Sequence, residues 1–176
     1  MDWLNQISGM LKNYTGADSA HSGTEAEFDQ VARQAPAGVL ASGLAAAFRS
    51  DATPAFPDML SQLFGGSTGD QKASVLNSLA GALGPTALAG ILGQSGGGLG
   101  NLASILTGGG QVTPQQAQQV SPEALQQLAT HAQQKSPGVI DQISQMYANT
   151  PSIVKTLGAG ALAIALAKIG KDHNLV

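Results

Sequence analysis

The chain contains no cysteine, which excludes disulfide frameworks, thiolate metal sites and thiol nucleophiles together. Charge is nearly as scarce: Asp, Glu, Lys and Arg make up 11% of 176 residues, where a globular average is about 25%. The formal net charge is −3, so there is no basic footprint and nucleic acid is not an expected partner. Aromatic residues are 4% of the chain. Apolar and polar residues do not alternate with period two over any useful length, so strands are not expected. The longest apolar stretch, residues 156–167, lies between Lys155 and Lys168. It is shorter than the ~20 residues a bilayer requires and reads as a buried core helix. The opening Met1-Asp2-Trp3-Leu4 has no basic segment of a secretory signal. The expected location is cytoplasmic, with exposure at the cell surface by an unencoded route as the alternative.

What the chain does have is helix formers, with 28 Ala and 20 Leu. The expected fold is all-α: an irregular bundle of short helices with a central apolar C-terminal helix and Gly-rich connections. Seven to nine helices are expected. Trp3, Leu4, Ile7 and Leu11 fall on one face of a first helix that Asp2 can cap. After a polar stretch ending at Gly23, Thr24 and Glu27 have the spacing of a capping box, with Phe28 and Val31 on the apolar face behind them. Pro36 opens a helix carrying Leu40, Leu44 and Phe48. Phe56, Met59, Leu60, Leu63 and Phe64 form a large apolar cluster stopped by Gly65-Gly66. Thr68 and Gln71 form a second capping box ahead of Val75, Leu76, Leu79 and Leu83.

From Ala73 to Pro122 there are fifty consecutive residues without a charge. A short phrase recurs inside this stretch, as Leu79-Ala80-Gly81-Ala82-Leu83, Leu88-Ala89-Gly90-Ile91-Leu92 and Leu102-Ala103-Ser104-Ile105-Leu106. Its spacing is too irregular for a solenoid. Glycine runs at 96–98 and 108–110 act as flexible joints. The expected organisation is therefore an amphipathic helix and mobile tail over 1–23, a helical part over 24–93, a Gly-rich flexible segment over 94–112 and a C-terminal helical unit over 113–170.

In that last part Thr113-Pro114, Ser121-Pro122, Ser136-Pro137 and Thr150-Pro151 each place a hydroxyl cap before a proline at the first helical position. Proline is tolerated there because its missing amide would have had no partner. The final helix, from Pro151 to about Ile169, is apolar nearly all round, and such a helix has to be surrounded.

The phrase Val120-Ser121-Pro122-Glu123-Ala124-Leu125, followed by Leu128-Ala129 and Ser136-Pro137, resembles the YidB-like family of small bacterial proteins. The Leu/Gly phrases of the middle region add to the likeness, which covers residues 75–157. The chain departs from the family pattern at Tyr147-Ala148-Asn149-Thr150, where a proline-terminated leucine helix is expected. The resemblance implies a bacterial helical protein. It implies no chemistry and carries over no functional residues.

A search for chemistry returns little. His21, His131 and His173 are not spaced as metal ligands on one helix face. Glu25 and Asp29 stand four residues apart and could form an acid–base pair, but with Glu27 they occupy first turns, where negative charge is favoured anyway. Gly93-Gln94-Ser95-Gly96-Gly97 lacks the register and strand of a nucleophile elbow. Gly98-Leu99-Gly100-Asn101-Leu102-Ala103 fits the loose dinucleotide pattern without its preceding strand or following acid.

No enzyme is expected, and no catalytic, cofactor-binding or metal residues are nominated. The expected role is a structural or protein-interaction module, whose partner is another protein or a second copy of itself. The alternatives are a peripheral membrane-surface protein docking through Trp3, Leu4, Ile7 and Leu11, and an exposed, antigenic protein. Weighing against the membrane, the polar face of that helix carries only Lys12 and includes Asp2.

Overall fold

The structure is a computed structural model, described over residues 2–14, 20–94 and 100–174. It is all-α: among the described residues 77% are helical, in twelve α-helices. The higher helix number than expected comes from breaks at Gly and Pro that periodicity alone reads through. Among the described residues no single helix is long and apolar enough to cross a membrane.

The chain divides into two compact units. The first joins Met1–Ala55 with Ser144–Val176, and the second is Phe56–Ile143. Neither follows the sequential division expected from composition, because contacts distant in sequence decide which helices belong together.

The first unit contains α1 (Asp2–Leu11), α2 (Thr24–Gln34), α3 (Ala37–Phe48), α11 (Pro151–Val154) and α12 (Ala159–Asp172). α12 is its centre, packing on α1, α2 and α3. Leu162, Leu166 and Ile169 are buried on α12, and Leu44, Ala45 and Phe48 are buried on α3. The expected continuous helix from Pro151 is broken. A 3-10 turn (Lys155–Leu157) and Gly158, at φ +86°, bend the chain by 118° before α12 begins. A positive φ is open to glycine because it has no Cβ to clash.

The second unit contains α4 (Phe56–Gly66), α5 (Gly69–Leu83), α6 (Pro85–Gln94), α7 (Gly100–Thr107), α8 (Pro114–Ala117) and α9 (Pro122–Lys135). α4 and α5 both pack on α9, α5 also packs on α8, and α6 packs on α7. The boundary between the units falls inside α10 (Val139–Ala148).

Cap chemistry is formed at three of the sites read from sequence. Thr68 with Gln71 and Thr113 with Gln116 make reciprocal capping boxes, and Ser121 accepts the Ala124 N–H at 3.3 Å. Two others are corrected. Ser136 ends α9, and α10 starts only after a Pro137-Gly138 turn; Thr150 makes no side-chain cap bond. The segment expected to be flexible is described in part. Residues 100–107 are helical, and Val112 is buried and held by Asn77, which accepts its N–H at 2.8 Å and donates to its carbonyl at 3.4 Å. Residues 95–99 lie outside the described part.

Candidate functional site

A polar cluster joins the end of α1 to the start of α2. Ile7 and Leu11, one turn apart on α1, are fully buried in the first unit, and Tyr14 follows them inward at 0% exposure. A buried phenol requires a partner, and here it has two. Its hydroxyl donates to Glu27 Oε2 and lies 3.2 Å from Thr24 Oγ1. A carboxylate only accepts, so the phenolic proton goes to Glu27 and the Thr24 hydroxyl donates to the phenol oxygen. Thr24 Oγ1 in turn accepts the backbone N–H of His21 at 2.9 Å. The His21 ring stacks on Tyr14, with centroids 5.6 Å apart, and its Nε2 stands 3.4 Å from Glu27 Oε2.

The capping box expected from Thr24 and Glu27 is therefore not formed. Gly23 occupies the N-cap position, and both side chains serve Tyr14 and His21 instead. Asp29 does not pair with Glu25. It accepts from Lys155 Nζ at 2.8 Å, while Glu25 stays exposed. Sequence spacing could not show this, since both partners arrive from elsewhere in the chain.

Burial, then the hydrogen bond to the Glu27 carboxylate, push the Tyr14 phenol up to about 12. At neutral pH it is a committed donor, unsuited to act as base or nucleophile. The cluster can tie α1 to the first turn of α2.

Of the four residues read as an interaction face, Ile7 and Leu11 are inside the first unit and Leu4 is half-buried. The Trp3 side chain lies outside the described part. His131 is exposed on α9, beside an open groove of about 480 Å³ lined also by Ala87, Gly90, Ile91, Gln94 and Gln127. The named lining offers one imidazole and two carboxamides with no carboxylate to orient the ring. His173 ends α12, half-buried. Among the described residues no three metal-ligating side chains converge. No family model, curated protein or solved structure matches the chain.

Proposed function

We propose that the chain is a non-enzymatic helical module that acts through protein association. The observation that carries this reading is the chemistry of the second unit. Thirteen of the chain's seventeen glutamines fall in it, and only Asp58, Asp70, Lys72, Glu123, Lys135 and Asp141 are charged. Such a surface presents carboxamides and small side chains, so a neighbouring protein meets little like-charge repulsion and strips little strongly held water.

The fate of the titratable groups supports the same reading. The Tyr14 phenol, Glu27 and Asp29 are spent on tying helices together. The burial of Ile7 and Leu11 favours α1 as part of the fold over α1 as a membrane anchor, because lipid docking would require those side chains to leave the unit.

Sedimentation of the full chain over a range of concentrations, at low and high salt, tests the proposal. The expected result is reversible association that salt hardly changes, since few charges take part. A chain that remains monomeric throughout and floats with anionic vesicles, with Trp3 emission moving to the blue, would replace association by membrane docking.

A further inference from the structure

Two stretches of the chain carry matching patterns of residues, and the folded units are built across them. Pro54-Ala55-Phe56-Pro57-Asp58-Met59-Leu60-Ser61-Gln62-Leu63-Phe64 is answered 83 residues later by Pro137-Gly138-Val139-Ile140-Asp141-Gln142-Ile143-Ser144-Gln145-Met146-Tyr147. Pro, Asp, Ser and Gln recur at the same places. Phe56, Leu60 and Phe64 on α4 correspond to Val139, Ile143 and Tyr147 on α10, and all six are buried.

The flanking elements follow in the same order. Thr24, Glu27, Gln30 and Val31 of α2 correspond to Thr113, Gln116, Gln119 and Val120 at and after α8. Buried Leu44-Ala45 of α3 corresponds to buried Leu128-Ala129 of α9. On α5, buried Leu76, Leu79 and Leu83 correspond to Leu162, Ala165 and Ile169 on α12, and a glycine follows each last member. The two halves are thus α2-α3-α4-α5 and α8-α9-α10-α12.

Their helices pair across the halves. In the first unit α12, the last helix of the second half, packs on α2 and α3, the opening pair of the first half. In the second unit α5, the last helix of the first half, packs on α8 and α9, the opening pair of the second half, and α4 packs on α9 beside it. The closing helix of each half thus packs on the opening pair of the other, α12 on α2 and α3 and α5 on α8 and α9, while the packing of α4 on α9 has no comparable counterpart between α10 and α3.

We infer that the partner this chain fits is a second copy of itself, joined by reciprocal exchange of halves. The opening pair of helices of one copy would receive the closing helices of the other. No contact has to be invented, because each interface is the one already formed within a chain. The halves are joined through residues 84–112, which carry α6 and α7 and ten of the 23 glycines, with Gly84 and Gly109 at positive φ. What favours the closed single chain is the effective concentration that a covalent connection supplies. Exchange is therefore expected when chains fold together at high concentration. The inference names a partner for the association proposed above and rests on that reading only to that extent.

The absence of native cysteine makes the test direct. Ser42 Oγ on α3 lies 2.9 Å from Asp172 Oδ2 on α12, and Asp58 Oδ1 on α4 lies 3.0 Å from Gln126 Nε2 on α9. Full-length Ser42→Cys and Asp172→Cys chains are unfolded together, refolded at high concentration and treated with a short bismaleimide; Asp58→Cys and Gln126→Cys are treated likewise. The expected result is a covalent two-chain product in each mixture, and no more than collisional background with either variant alone. The double variant Ser42→Cys/Asp172→Cys, refolded dilute, should close within one chain, showing that the pair is within reach. Mixtures that give no more two-chain product than the single variants would overturn the exchange. Sedimentation of the untreated chain at the same concentration separates the two readings, since association without cross-linking sinks the exchange and leaves association standing.

Discussion

A Cβ built on Gly43 would lie 2.8 Å from the carbonyl oxygen of Ala165 and 3.1 Å from the Ile169 side chain. α3 and α12 therefore approach so closely that one position has room only for hydrogen. The obstruction is backbone, which cannot swing aside like a long side chain. Gly43→Ala is expected to destabilise the protein by about 1–3 kcal/mol, the usual cost of overpacking, although alanine is the better helix former. Chemical denaturation reads this. An unchanged or raised midpoint would mean that the two helices are not held at this distance.

Replacing the Tyr14 phenol by Phe removes the donor to the Glu27 carboxylate, at an expected cost of about 1 kcal/mol, kept low because Glu27 is partly open to water. The sign of the pH effect follows from the direction of the shift. An unfolded tyrosine ionises near pH 10, whereas in the fold Tyr14 holds its proton to about 12. The stabilisation is complete below pH 10 and is lost as the pH rises toward 12, because the unfolded chain releases its proton first. The gap between wild type and Tyr14→Phe should thus narrow as the pH rises from about 10 toward about 12 in urea titrations. A gap that does not change would show that the phenol is not held in this way.

Leu162 is fully buried on α12, the helix around which the first unit packs. Leu162→Ala is expected to cost about 2–5 kcal/mol through lost burial and the cavity left behind. Leu162→Asp should unfold the unit, since an unpaired buried charge costs several kcal/mol, on the order of a domain's whole stability. A near-native melting curve for the aspartate variant would remove α12 from the centre.

Asn77 on α5 holds the Val112 backbone through both halves of its carboxamide. Asn77→Ala should cost about 1–3 kcal/mol by leaving the Val112 amide and carbonyl without their partner. Hydrogen exchange localises the effect: the Val112 amide should lose protection while the interior of α5 keeps it. Equal exchange in both proteins would mean that the bonds contribute nothing to order around residue 112.

The sequence by itself determined the class of fold. An Ala- and Leu-rich chain with apolar residues every three to four positions has only helices available to it, and local signals such as Thr68 with Gln71 and Ser121 with Pro122 set where some of them begin. Such signals act within one turn, so they are legible without a fold. Thr24 and Glu27 have the same spacing but serve Tyr14, because burying a phenol demands partners that local pairing does not foresee. The glycines before Val112 read as a loose joint, yet the end of that stretch is tied down by Asn77, 35 residues away.

The same limit hid the correspondence between the two halves. The apolar positions of the two halves match mostly through Leu, Ala and Val, the commonest residues of the chain, and shifts of a few residues between elements blur the register. Only the tertiary structure decided that α12 belongs with α2 and α3 while α5 belongs with α8 and α9. Each helix carries an apolar face that any similar face could cover. The choice among them rests on close-range shape, as where Gly43 admits the Ala165 carbonyl, and shape at that scale exists only once the chain has folded.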